Sequence, residues 1–411
     1  MVSMHTSPAA LPGTGDAGGM NVAILGLAAE LAIRDVRVDL ITRAAGPAAT
    51  RTLLPGVTLH ELPAGEPGPL PKERLPEVTD EFGEAVAALS RRDSTSSKTG
   101  RYDVIHAHYW LSGIATLPVA IELGLPFVQS FHTLATMKNA AGAADAEPAT
   151  FPEEPVQRLR SETFLATQAD AVVTSSSAEA TVIIDEVGAP ANRTWIIPPG
   201  VDLGLFSPRL EGTHASVRRQ LGLETERPIV VVAGRVQPLK GHELAIRALA
   251  ELHAIRGWAP VLVIAGEVTP GEEGYAAQLR ALAGDLGVGS DVRFVGALHR
   301  DVLADLLSAA AVTLVPSFSE TFGLTALESA AAGTPVLGFR SGGISEAIEE
   351  GISGFLLGNR DPRYWATELA VLIENNERRA ELGITARGFA ERFTWGAAAT
   401  SLMGVYAGIK R

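Results

Sequence analysis

PPGVDLGLFSP, residues 198–208, carries three prolines and two glycines, the composition of a connection and not of a helix or strand interior. On either side of it the same pattern runs. Upstream, VRVDLIT (36–42), DVIHAH (103–108), PFVQSFH (126–132), AVVTS (171–175) and TWII (194–197) read as short strands separated by longer amphipathic stretches. One of these stretches is NVAILGLAAELAIR (21–34), where Val22, Leu25, Ala28 and Leu31 share a helix face. Downstream the pattern restarts with PIVVVAGR (228–235), VLVIAGE (261–267), VRFVG (292–296), AVTLVPS (311–317) and PVLGFR (335–340). Strands alternating with helices build parallel sheets. The reading is therefore an α/β protein of two halves joined by a hinge, 1–198 and 199–394, whose ligands bind beyond the carboxyl ends of the strands.

The bulk composition agrees. A chain of 411 residues exceeds what one ordinary core holds, so two domains of about 200 residues are expected. The net charge of -13 disfavours a nucleic-acid or anionic-membrane partner, and any anionic ligand must be held by local cations. With no cysteine, disulfides, zinc-thiolate sites and thiol catalysis are excluded, which fits a reducing cytoplasm. No apolar run approaches the ~20 residues of a membrane span, and MVSMHTSPAALPG lacks the regions of a signal peptide. A soluble cytoplasmic protein with small-molecule substrates is the expectation; a homodimer is left open. SRRDSTSSKTG (90–100) and AAGAADAEPAT (140–150) read as loops by composition. Only Met1 to Met4 precede HTSP, so the first strand is expected to be a stub.

Three segments carry chemistry. PGTGDAGGMN (12–21) leads into a helix, and its glycines let backbone approach a phosphate at the helix N-terminus. Gly13, Gly15 and Gly18 match the dinucleotide fingerprint, although His5 to Pro12 intervene after the stub; a plain flexible turn is the competing reading. In GRVQPLKG (234–241), Arg235 and Lys240 follow a strand and suit one diphosphate, fork and point charge; solvated surface cations are the alternative. In SFSETFGLTALESAAAGTPVL (317–337), Glu320 and Glu328 stand eight apart, just over two helical turns. Such carboxylates accept hydrogen bonds from sugar hydroxyls, and the N–H groups of Gly323 and Leu324 suit a phosphate. The dull alternative is acidic residues favouring a helix start.

GRVQPLKG and SETFGLTALE resemble the donor-binding elements of retaining glycosyltransferases with two Rossmann-like domains facing across a cleft, the GT-B type. MHTSPAALPGTGDAGGMNV, HAHYWLSG and FHTLATMKNA narrow the resemblance to the D-inositol 3-phosphate glycosyltransferase family of mycothiol biosynthesis, from His5 to about Tyr406. The resemblance implies that Glu320 holds the transferred sugar, Glu328 the ribose, and Arg235 and Lys240 the diphosphate. It places Phe322, Gly323, Leu324, Gly18 and Gly19 around the donor, main chain near Leu298 at the base, and His132 beside the sugar. His132, Glu320, Arg235 and Lys240 form the implied catalytic set. The acceptor phosphate falls to Lys72, Tyr109, Thr133 and Arg158, with His5, Asp16 and Asn21 around the inositol. The segment 395–411 is implied to pack back on the first domain. Ala23 departs from the family, which commonly has an aromatic residue there.

The implied donor is UDP-N-acetylglucosamine and the implied route is front-face attack with retention. Positioning and charge stabilisation do the work, and no metal or other cofactor is required. A relative glycosylating another acceptor in an antibiotic or thiol pathway, or using another nucleotide sugar, is a second reading. A nicotinamide-dependent oxidoreductase is a third, yet the strand that should end in an acid for the ribose ends in Thr42-Arg43. A non-catalytic sugar-nucleotide sensor is a fourth, against which Glu320, His132 and Lys240 stand.

Overall fold

A computed structural model describes residues 1–96, 102–143, 153–223 and 227–409. In the first half the elements are α1 (Gly19–Ile33), β1 (Val38–Arg43), β2 (Ala49–Leu54), β3 (Val57–Leu62), α2 (Thr79–Ser96), β4 (Ile105–His108), α3 (Trp110–Leu123), β5 (Phe127–Ser130), α4 (Ala135–Ala143), α5 (Val156–Gln168), β6 (Ala171–Thr174), α6 (Ser177–Val182) and β7 (Thr194–Ile196). The second half holds α7 (Glu211–Gln220), β8 (Ile229–Ala233), α8 (His242–Arg256), β9 (Val261–Ala265), α9 (Glu273–Asp285), β10 (Val292–Gly296), α10 (Arg300–Ala309), β11 (Val312–Val315), α11 (Leu324–Ala331), β12 (Val336–Phe339), α12 (Ile344–Ala347) and β13 (Gly354–Leu357). Three helices close the chain: α13 (Pro362–Glu374), α14 (Asn376–Ala390) and α15 (Trp395–Gly408).

The second sheet has the order β10-β9-β8-β11-β12-β13 and is parallel throughout. Its central strands are buried runs such as Ile229–Val232 and Val261–Ala265 because helices cover both faces. Successive side chains alternate between them. Val230, Val232, Ile264 and Leu314 pack with Leu244, Leu249, Trp365 and Leu369 of α8 and α13. Val231, Val263 and Val315 face Leu307, Leu327 and Phe389 of α10, α11 and α14.

The first sheet repeats the plan around a very short strand. Val2 bridges Ile41 on one side and Ala107 on the other, both in parallel, so β2-β3-β1 and β4-β5-β6-β7 join through a stub. Val2 N–H donates to His106 O at 2.8 Å and His108 N–H to Val2 O at 2.9 Å. Counting the stub as strand one, both sheets reverse direction beside their first strand, and the crevice there is where such sheets bind ligands. Helix α15 lies on the first sheet: Ala398, Leu402 and Val405 share a core with Ile24, Ala28 and Leu31 of α1. The connection is double. Val201 N–H donates to Phe393 O at 3.0 Å, and a Cβ on Gly200 would lie 2.2 Å from Trp395 N, an approach only glycine permits. Among the described residues no helix is long and apolar enough to cross a membrane.

Two local expectations are corrected, and two further features were not anticipated. The stretch 90–100 is not all loop: α2 continues to Ser96, because Phe82 and Val86 seat it in the core; 97–100 lie outside the described residues. Likewise α4 runs to Ala143, and 144–150 lie outside them. The hairpin β2–β3 went unread; Thr50 to Leu54 is nearly all exposed, so it lacks the buried apolar signature. The strand β13, GFLL, also went unread; it has no β-branched residue.

Candidate functional site

On the second domain, the chain leaves β8 through Arg235 and makes one turn of 3-10 helix, Pro238–Lys240, ended by Gly241 at φ 66°. This turn brings Lys240 Nζ to 2.6 Å from Glu320 Oε1, beyond β11. Lys240, Glu320, Gly323 and Thr325 line a small cavity at the switch point between β8 and β11. Gly323, at φ 105°, turns the chain into α11. One face of α11 then buries Glu328, whose Oε1 meets Arg300 at 2.8 Å. Burial raises the Glu328 pKa and the Arg300 charge opposes the shift. Leu298 is half-buried after β10. The Phe322 side chain is buried and meets Phe393 edge-on at 5.8 Å, so it belongs to the core.

The glycine-rich loop reaches across from the first domain. Gly13 O accepts from Glu267 N–H at 2.9 Å. Arg235 Nη1 donates to Asp16 Oδ1 at 3.0 Å and to Gly15 O at 3.3 Å. A Cβ on Gly19 would lie 3.3 Å from Leu324 Cδ1, so the starts of α1 and α11 face one another. First-turn N–H groups have no intrahelical partner, and two such ends with Arg235 and Lys240 make a cradle for phosphate. Asn21 is buried, accepts from Gly18 N–H at 3.0 Å and donates to Ser7 O at 2.7 Å, so its amide shapes the loop.

The remaining first-domain residues converge beside the stub. Tyr109 is central. Its ring lies 4.2 Å from the His5 ring, 5.3 Å from Lys72 Nζ and 5.0 Å from the Arg158 guanidinium carbon. Arg158 Nη2 donates to Thr133 Oγ1 at 3.0 Å and Thr133 O at 2.8 Å. Lys72 Nζ lies 3.8 Å from Asp16 Oδ1. Arg158, however, is not a free cation. It is 2% exposed and paired with Glu162 at 2.7 Å and Glu154 at 2.9 Å, while the neighbouring Arg160 is exposed. Burial works against the Arg158 charge, but Tyr109, Glu162 and Glu154 hold its pKa above the usual value.

Two of these residues sit in strained backbone. Tyr109 has φ 74° and His132 φ 63°, conformations rare for bulky side chains and concentrated at functional sites. Tyr109 is held by its own N–H to Ser130 O at 2.8 Å and by Gln129 Nε2 to its carbonyl at 3.3 Å. His132 O accepts from Thr321 Oγ1 at 3.0 Å, across the cleft. Its ring Nε2 meets His108 Nδ1 at 2.8 Å, and burial lowers its pKa to about 4. Sequence reasoning missed Arg300, His108, Gln129, Glu162 and Thr321. His108 and Thr321 had a visible signal, their places in HAHYWLSG and SETFGLTALE; Arg300 and Gln129 act on a site residue from a different element, and Glu162 acts on Arg158 from within the same helix.

Two sheets, one parallel and one parallel but for β2, each with its switch-point crevice turned to the other, and a cation–carboxylate set at the carboxyl ends of β8 and β11 define a glycosyltransferase of GT-B type. Residues 18–200 match the glycosyl transferase 4-like domain and 214–389 the glycosyl transferases group 1. D-inositol 3-phosphate glycosyltransferase of Acidothermus cellulolyticus is 42% identical over 99% of this chain and 89% of its own length; that of Stackebrandtia nassauensis is 41% identical over 99% and 90%. Sucrose-phosphate synthase from Thermosynechococcus elongatus superposes with TM-score 0.85 at 30% identity, covering 99% and 97% of the two chains. HepE of Anabaena, solved with UDP-glucose, shares the fold with TM-score 0.76 at 21% identity over 99% and 98%. The chain belongs to the D-inositol 3-phosphate glycosyltransferase family.

Proposed function

We propose that the enzyme transfers N-acetylglucosamine from UDP-N-acetylglucosamine to inositol phosphate with retention of anomeric configuration. The observation that carries this reading is the convergence of Lys72, Tyr109, Thr133 and Arg158 at the first domain's switch point, across the cleft from Lys240 and Glu320. The names of its relatives support inositol phosphate as the acceptor. In this reading residues 1–198 with 395–411 bind the acceptor and 199–394 bind the nucleotide sugar.

The chemistry follows from placement. Arg235, Lys240 and the starts of α1 and α11 stabilise charge gathering on the departing diphosphate. Glu320 fixes the sugar's hydroxyls and Glu328 the ribose. The acceptor hydroxyl attacks the face that the diphosphate leaves, and a departing phosphate oxygen takes its proton. No step is routed through a metal. The test is transfer onto inositol phosphate beside free inositol, with the product anomer read by NMR. The phosphate should improve kcat/KM by about 100-fold or more, because a site built for an anion leaves its donors unpaired without one. Equal rates on both acceptors, or an inverted product, would refute the reading.

A further inference from the structure

Three histidines stand in a row beneath the cleft. His132 Nε2 lies 2.8 Å from His108 Nδ1, with ring centroids 5.1 Å apart. His108 stacks on His106 at 4.2 Å and 26°. His106 is fixed at both nitrogens, by Tyr406 Oη at 2.7 Å and Ser130 Oγ at 2.9 Å. Tyr406 belongs to α15, so the far end of the chain holds the base of the row.

Burial disfavours the charged form of all three rings, and a neutral imidazole carries one proton. The bond between His132 and His108 therefore has two possible directions. His108 Nε2 decides between them, because it is buried and has no partner among the described residues. If His132 Nε2–H donated, His108 would carry its own proton on that Nε2, a buried N–H with nothing to accept it. If His108 Nδ1–H donates, the same Nε2 is a bare lone pair. Orphaned buried N–H groups are rarer than unsatisfied acceptors, so the second direction is favoured. His132 then keeps its proton on Nδ1, which has no protein partner among the described residues.

We propose that His108 is a positioning residue: it donates Nδ1–H to His132 Nε2, fixes His132 as the Nδ1–H tautomer, and thereby turns its open edge into a hydrogen-bond donor for an oxygen of the donor sugar. His132 does not act as a base in this arrangement. Its lone pair is occupied, and its backbone is clamped at φ 63° by Thr321 from the opposite domain. The inference rests on the proposed function only in setting the donor sugar at Glu320, whose neighbour Thr321 holds the His132 carbonyl; the tautomer itself does not depend on the acceptor.

The experiment is a long-range proton–nitrogen spectrum of the full chain labelled with nitrogen-15 histidine, with His132 assigned by its loss in His132→Asn. The wild type should show His132 protonated on Nδ1 and bare on Nε2, and His108→Leu should shift it toward Nε2–H. His108→Leu should lower kcat by about tenfold, the effect of one lost hydrogen bond, with KM for the nucleotide sugar little changed. His108→Asn, whose amide can occupy the Nδ1 position and donate, should recover most of that loss. A wild-type His132 protonated on Nε2 overturns the proposal, as does a folded His108→Leu with undiminished kcat. If the leucine variant does not fold, the wild-type spectrum decides alone. An Nδ1–H His132 in an enzyme that ignores inositol phosphate refutes the proposed acceptor and leaves this inference standing.

Discussion

Asp16 Oδ1 lies 3.0 Å from Arg235 Nη1 across the cleft, and 3.8 Å from Lys72 Nζ on its own domain. One carboxylate thus touches a cation assigned to the donor diphosphate and a cation assigned to the acceptor phosphate. Both side chains of the Asp16–Arg235 pair are partly exposed, so its worth is modest. Asp16→Asn should bind UDP about two- to fivefold more tightly, on the order of 0.5–1 kcal/mol for removal of one screened repulsion. Titration calorimetry reads this directly, and weaker binding would show that Asp16 organises the loop more than it competes for the cations.

Lys240 is joined to Glu320 at 2.6 Å in a half-buried position, so its loss removes a diphosphate contact and frees a carboxylate beside that site. Lys240→Ala should weaken UDP binding by roughly 1.5–3 kcal/mol, about 10- to 100-fold. Unchanged affinity by calorimetry would sink the diphosphate assignment.

How much of this was legible depended on whether a signal was local. The parallel strands of both sheets were readable because Val, Ile and Leu fill short runs flanked by turns, as in Ile229–Ala233. In the hairpin β2–β3, strand β2 was hidden because an exposed strand mixes polar and apolar residues. For the site, Lys240 and Glu320 announced themselves through strand-end motifs. The pairing of Arg158 with Glu162 shows what did not. A helix i,i+4 pair is commonplace in sequence, and only burial to 2% distinguishes a structural ion pair from a solvated one. The loop-shaping hydrogen bonds of Asn21 were hidden for a related reason, since their partners Ser7 and Gly18 are set by the fold of the loop.

Glu179 ties α6 to the interdomain contact. Its Oε2 accepts from Ser175 N–H and Oγ–H, both at 2.7 Å, and Ser176 Oγ donates to Thr321 O of the other domain at 2.6 Å. Burial pushes the Glu179 carboxyl from 4.5 up to about 7, against the Ser175 hydrogen bonds. The folded state therefore holds this proton more tightly than the unfolded state does. The resulting stability is complete below about pH 4.5 and is lost as the pH rises through about 7. Glu179→Gln should match the wild type near pH 4.5 and exceed it at pH 8 by on the order of 3 kcal/mol. Urea unfolding at the two pH values is the check, and a glutamine variant no more stable at pH 8 would show that the carboxylate is accommodated charged.

The acceptor residues demand unequal tests. Arg158 is enclosed between Glu154 and Glu162, and breaking a buried pair by removing one partner costs roughly 3–5 kcal/mol. Arg158→Ala should therefore lower stability by that order as well as activity, and its lost activity says little about the acceptor. Lys72 is different: its side chain is 36% exposed and held only loosely by Asp16. Lys72→Ala should fold with near-wild-type stability, raise KM for inositol phosphate by about tenfold or more through one lost charge-assisted contact, and leave UDP affinity almost unchanged. Thr133→Val removes the hydroxyl at nearly constant volume and should act in the same direction but more weakly, with Arg158 losing one of its acceptors. Steady-state kinetics with each substrate varied, beside thermal melts, separates these effects. If Lys72→Ala raised KM for the nucleotide sugar instead, its ammonium would belong with Arg235 on the diphosphate, and the acceptor phosphate would have to be sought elsewhere along the first domain's crevice.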